Sequence, residues 1–187
     1  PSMALRQIVH LPEPILRKKA KPVTKFDKDL QTLIDDMFET MREAPGVGLA
    51  APQINLPMQL AVVEYAEDED EEREEGAPEP KKKQFVLINP EIVKVSEEKV
   101  MGIEGCLSIP GLVGEVERYE AIQVKALNRH GAPVKIKVDG WMARIFQHAL
   151  HRDIHIITAG LQCMLPGFAQ LMQAARHQIP NTQQQQQ

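Results

Sequence analysis

The residues best suited to holding a metal ion lie near the end of the chain. His148, His151 and His155 are spaced i, i+3 and i+7, so on a helix they share one face. A single helical histidine is more often structural than a ligand. Three on one face, with a thiol elsewhere, point towards metal. That thiol is Cys106, in the segment Glu104-Gly105-Cys106-Leu107-Ser108. Taken alone, Cys106 reads as a small buried hydrophobe. Together with two of the histidines and a water it would make an open catalytic set of the zinc type. A further segment, Gly46-Val47-Gly48-Leu49-Ala50-Ala51-Pro52-Gln53, is rich in small residues that allow close backbone approach. Gln53 then offers an amide that can donate to an oxyanion or hold a water. By itself such a Gly/Ala-rich turn reads equally as packing between a helix and a strand.

Several elements must position these residues. Leu30, Leu33, Ile34, Met37 and Met41 recur at helical spacing, which predicts an amphipathic helix over 27–43, capped by Asp27 or Asp29 and ended by Pro45-Gly46. Residues 58–65 and 84–89 read as strands, with Pro90 closing the second and 91–97 continuing as a short strand. Residues 120–127 and 133–138 flank Asn128-Arg129-His130-Gly131 and read as a hairpin. A second helix is expected from Trp141 to about Thr158. These elements imply an α+β class. The segment 67–83 joins a run of acids to three lysines and reads as a mobile, solvated loop. One domain is expected over 1–160. Residues 161–187, ending in five glutamines, read as an atypical and partly disordered tail.

Composition excludes several classes. The 187 residues are 43% hydrophobic and 26% charged, as in ordinary globular domains. A net charge of -4 gives no footprint for direct nucleic-acid binding. No apolar run approaches the roughly 18 residues of a membrane span. Pro1-Ser2-Met3 reads as a processing scar before a start methionine, and no signal segment opens the chain. The two cysteines, Cys106 and Cys163, are then expected as free thiols in a reducing cytoplasm.

In combination the motifs are more specific. GVGLAAPQ, then EGCLS, then a helix entered through Phe146-Gln147-His148, in that order, closely resemble the peptide deformylase family. So do Pro14-Ile15-Leu16-Arg17 and Val86-Leu87-Ile88-Asn89-Pro90. The resemblance implies an α+β fold with antiparallel sheets around a C-terminal metal-binding helix. It implies removal of the N-terminal formyl group from formylmethionyl peptides of nascent proteins, with transient proximity to the ribosome. The implied cofactor is a divalent metal, iron(II) first, with nickel(II) or zinc(II) as alternatives. Such a metal lowers the pKa of a bound water near neutral pH. Cys106 matches the thiolate ligand and His148 the first imidazole. The Gln53 amide and the Leu107 N–H match the oxyanion donors. Gly46, Val47, Gly48, Glu104 and Gly105 match the substrate-flanking segments. Glu104 reads either as an acceptor supporting the site or as an exposed loop acid.

The helix departs from the family pattern His-Glu-x-x-His. The segment here is His148-Ala149-Leu150-His151-Arg152. Ala149 stands at the general-base position. Arg152 stands at the second ligand position, where a guanidinium cannot ligate because it stays protonated. Three arrangements remain open. His148 pairs with His151 or His155; or His151 and His155 form the i, i+4 pair; or the site holds metal poorly. From His151 onward only Arg152, Asp153 and Arg176 are charged. A reading-frame change near residue 149 would explain this, and the coding DNA read in its other frames would test it. The expected function is therefore an impaired deformylase, with a peptide-binding module as the rival and a scaffold as a remote third.

Overall fold

The structure is a computed structural model and describes residues 4–65 and 82–150. Most of the expected 67–83 loop, the second half of the expected C-terminal helix and the 161–187 tail lie outside those residues, as do His151, Arg152 and His155.

Helix α1 spans Lys28–Glu43, and the Asp27 carboxylate accepts from the Leu30 N–H at 3.1 Å. This satisfies one of the donors a helix start leaves unpaired. Its buried face is Leu30, Leu33, Ile34, Met37 and Met41, the stripe the spacing predicts. Short strand β1 (Gly48–Ala50) follows, then a 3-10 turn over Ala51–Ile54. Strands β2 (Leu60–Tyr65), β3 (Lys83–Val95), β6 (Ala121–Leu127) and β7 (Pro133–Asp139) complete a five-stranded antiparallel sheet in the order β1-β2-β3-β6-β7. Every residue of β2 is buried, because both faces of the sheet are covered. Val62 and Ile88 pack with α1, whereas Val63, Leu87 and Val124 pack with helix α2 (Gly140–Leu150) through Ile145 and Phe146. Two-sided burial explains the apolar run Leu60–Val63 of that strand.

Two expectations need correction. Residues 84–89 and 91–97 are one strand, β3, despite Pro90. Proline lacks an N–H for the ladder and is tolerated at bulges. The register shifts between Ile88 and Glu91, and Asn89 takes φ +50° there. The Asn89 amide exchanges hydrogen bonds with the backbone of Val23 at 2.8 Å each way, which anchors the bulge. The second correction is an additional two-stranded sheet, β4 (Lys99–Cys106) with β5 (Ile109–Tyr119). Its alternation runs against hydropathy: Met101 and Ile103 are 55% and 61% exposed, while Glu104 and Arg118 are buried.

At the end of β2 the sheet buries a carboxylate. Glu64 accepts two hydrogen bonds from Arg42 at 2.9 and 2.8 Å and one from Gln84 at 2.7 Å. The Arg42 hydrogen bonds, opposed by burial, hold the Glu64 carboxyl down at about 2. A carboxyl whose folded pKa lies below its unfolded value contributes stability above the unfolded value and loses it as pH falls through the folded one. Thermal melts of the wild-type chain should therefore fall from pH 4.5 towards pH 2. In Glu64→Gln the slope across that window should be shallower, with lower stability at pH 7. Parallel melting curves for the two proteins across the window would show that the pair contributes nothing.

Candidate active site

The carboxyl end of β4 is bent where its pairing slips. Register is lost between Gly105 and Cys106, and Cys106 pairs with Ile109 across a two-residue turn of Leu107 and Ser108. The slip turns the Cys106 thiol, half-buried, towards α2. His148 meets it from the last turn of that helix, and both side chains line the same cleft. The His148 Nδ1 lies 2.9 Å from Glu104 Oε2.

Glu104 is 4% exposed and belongs to strand β4, which overturns its reading as an exposed loop acid. Its Oε1 accepts from Arg118 Nε at 2.8 Å and from Arg144 Nη1 at 3.0 Å. Its Oε2 accepts from Arg118 Nη2 at 2.8 Å and faces His148. Burial alone would raise the Glu104 pKa, but the hydrogen bonds from Arg118 and His148 outweigh it and hold the carboxyl at about 2. Burial likewise disfavours the charged imidazole, yet Cys106 and Glu104 raise the His148 pKa to about 9. A carboxylate on one imidazole nitrogen fixes the ring and leaves the other nitrogen facing the thiol.

Gln53 approaches from the 3-10 turn. The Ala50 N–H donates to its Oε1 at 2.9 Å, and its Nε2 donates to Ser108 Oγ at 3.3 Å. Those partners orient the amide, so Nε2 also points towards Cys106 Sγ, 3.8 Å away. The glycine-rich segment closes the opposite wall. A Cβ on Gly46 would lie 2.7 Å from Leu107 Cδ1, so the absence of a side chain there lets Leu107 pack against the Gly46 backbone.

These groups line one cleft of about 460 Å³. Gly46, Val47 and Gly48 form one rim, and Gln53 reaches in beside them. Glu104, Gly105, Cys106 and Leu107 form the facing wall, with His148 and Ala149 contributed by α2. The structure thus gathers in one place all the site residues expected from sequence that fall in the described region. Arg118, Arg144 and Ser108 were missed. Arg144 lies four residues before His148 and therefore on the same helix face, a signal that spacing alone could have supplied. Ser108 closes the EGCLS segment already singled out, whereas Arg118 carries no comparable mark.

The donor chemistry suits a metal only in part. Cys106 and His148 supply a thiolate and an imidazole of the required kinds. Among the described residues no group of three or more Cys, His, Asp or Glu is arranged to hold an ion.

The sequence matches the polypeptide deformylase family over residues 5–153. The peptide deformylase of Symbiobacterium thermophilum is 52% identical over 152 residues, which is 81% of this chain and 64% of that protein. The peptide deformylase of Aquifex aeolicus is 48% identical over 146 residues, covering 78% of this chain and 80% of its own length. Among solved structures, the crystal structure of a peptide deformylase from Legionella pneumophila is 41% identical, with a TM-score of 0.72 over 92% of each chain. That of Thermotoga maritima is 35% identical, with a TM-score of 0.70 over 83% of this chain and 96% of the other. With its α+β architecture of antiparallel sheets and a C-terminal helix, and with the match running over most of its length, this chain belongs to the polypeptide deformylase family.

Proposed function

We propose that this chain binds formylmethionyl ends of nascent peptides in the cleft and hydrolyses the formamide slowly, well below the rate of a complete deformylase site. The observation that carries this reading is the convergence of Gln53, Cys106 and His148 on one cleft in a chain of this family. A divalent metal, when bound by Cys106 and His148 with a further ligand, supplies Lewis acidity and an activated water. The chain's own residues account for the rest. The rim of Gly46, Val47 and Gly48 places backbone polar groups beside an extended peptide, and small side chains permit its close approach. Gln53 Nε2 and the Leu107 N–H would donate to the oxygen that gains charge as the formyl carbon becomes tetrahedral. Collapse breaks the C–N bond, releases formate and leaves an amine that must take up a proton.

That proton is where the chain is deficient. Ala149 has no titratable group. Its methyl would lie 3.8 Å from a Cβ built on Gly48, so this position is at the cleft wall where the peptide would pass. A positioned acid–base group contributes roughly 10²–10⁴-fold. Arg152, one turn after His148 in sequence, cannot replace an imidazole ligand. The same two residues support a second reading, a deformylase-like module that holds formylated peptides without turnover. Formate release distinguishes the two.

The ligand assignment is tested by Cys106→Ala. If the purified wild type binds iron(II) or zinc(II), its stoichiometric metal should be lost in the variant. Equal metal content in both would remove Cys106 from the ligand set.

Gln53→Ala should lower formate release by about 10²–10³-fold, the usual effect of losing one oxyanion donor, with the melting temperature little changed. A matching loss of thermal stability would assign Gln53 to packing instead.

Restoring the family pattern with Ala149→Glu, His151→Asp and Arg152→His together should raise formate release by at least about 10²-fold. The changes belong together because base and ligand act as one unit. A wild-type chain as fast as the restored one would refute the deficiency and show that another group moves the proton.

A further inference from the structure

We propose that Arg144 is a positioning residue that sets the spacing between the strand carrying Cys106 and the helix carrying His148. The inference rests on the reading of Cys106 and His148 as the heart of the site. Cys106 lies at the end of the β4–β5 hairpin, and that hairpin forms a separate two-stranded sheet. No ladder of the five-stranded sheet fixes how far it stands from α2. An isolated two-stranded hairpin is marginally stable and takes its position from what it packs against.

Arg144 supplies that position. It projects from α2 between the two strands, 7% exposed, and uses its guanidinium on both of them. Nη2 donates to the Val100 carbonyl of β4 at 2.7 Å. Nη1 donates to the Val116 carbonyl of β5 at 2.8 Å and to Glu104 Oε1 at 3.0 Å. One side chain therefore holds β4, β5 and the carboxylate that faces His148. Arg144 and His148 are four residues apart on one helix face, and Glu104 and Cys106 are two apart on one strand. The four residues thus form a closed frame, in which a shift of the guanidinium moves Glu104 and then both His148 and Cys106. Gln147 clamps the hairpin only at its far end, through the Tyr119 N–H and carbonyl at 3.0 and 2.8 Å.

The sequence of β4 is adapted to this contact. A Cβ on Gly102 would lie 2.6 Å from Arg144 Cζ and 2.8 Å from Nη2. Only a glycine leaves room for the planar group to lie against the strand. A lysine could not reproduce the contact, because an ammonium lacks the rigid fork that reaches three acceptors at fixed angles.

Two variants test the role without relying on one fold. Arg144→Lys keeps the charge and removes the fork. Gly102→Ala keeps Arg144 and displaces it. The first readout is the imidazole N–H of His148 in the metal-free protein, observed by ¹⁵N-resolved NMR. In the wild type this proton should be hydrogen-bonded to Glu104 and protected from exchange with water, and in both variants its exchange should be at least about tenfold faster, as expected when a ring loses its outer support. The second readout is the affinity for cobalt(II), which should weaken by about 10–100-fold in both variants. Folded variants whose His148 signal and cobalt affinity match the wild type would overturn the proposal. If the His148 signal changes as expected while the wild type releases no formate, the positioning role stands and the proposed reaction falls. An active wild type with an unchanged His148 signal in folded variants gives the converse.

Discussion

Glu104 ties the β4–β5 hairpin to helix α2, two parts of the fold that no backbone ladder joins. Its two oxygens face Arg118 on β5, Arg144 and His148 on α2, and its own strand carries Cys106 two residues on. Burying one carboxylate and two guanidinium groups carries a large desolvation cost, which attraction repays only when every hydrogen bond is well formed. The bond lengths of 2.8–3.0 Å meet that condition. Such a cluster is weak evidence for net stability, since a well-packed apolar substitute can be as stable. It does enforce geometry, because any displacement leaves a charge buried and unpaired. This accounts for its place immediately behind the thiol and imidazole rather than in the main core, where Val62, Val63 and Leu87 need only fill space.

Much of this was legible in the sequence, and the failures have two separate physical causes. Helix α1, the β6–β7 hairpin and the start of α2 carry period and turn signals that local chemistry enforces, and they appear where the pattern places them. The β4–β5 sheet does not. Its outward residues Met101, Ile103 and Val113 are apolar, while its inward ones include Glu104 and Arg118. A rule that turns apolar residues inward misreads β4 and the Arg118 end of β5, although Val116 and Ile109 are buried as it predicts. The misread positions are those where the hairpin packs around the Glu104, Arg118 and Arg144 charges rather than around apolar side chains. Pro90 misled for a different reason. Its missing N–H is accommodated by a bulge anchored from Val23, far away in sequence.

The small residues of the first motif have separate physical duties. Gly46 yields space to Leu107, which draws the rim towards the turn after Cys106. Gly48 stands opposite Ile145 and Ala149 of α2. Ala50 presents the N–H that orients the Gln53 amide. A motif that reads as a Gly/Ala-rich turn is in fact a short strand and a 3-10 turn, in which Gly46, Gly48, Ala50 and Gln53 each meet a named partner. Its value for recognition comes from that density of contacts, because few substitutions satisfy all of them together.

In the proposed reaction Ala149 supplies no proton transfer, and the other cleft residues have their own partners. Among the described residues lining the cleft, Glu104 is the only carboxylate. An ionised carboxylate is an acceptor with about four lone-pair sites. Arg118 uses two of Glu104's, Arg144 a third, and His148 a fourth. A carboxyl held at about 2 is also far too acidic to take a proton from water near neutrality. Gln53 is an amide and neither accepts nor releases a proton on this scale. His148 is engaged at Nδ1 with Glu104. Glu104, Gln53 and Arg144 are each held by hydrogen bonds within the described cleft, and Ala149 brings no titratable group to its wall.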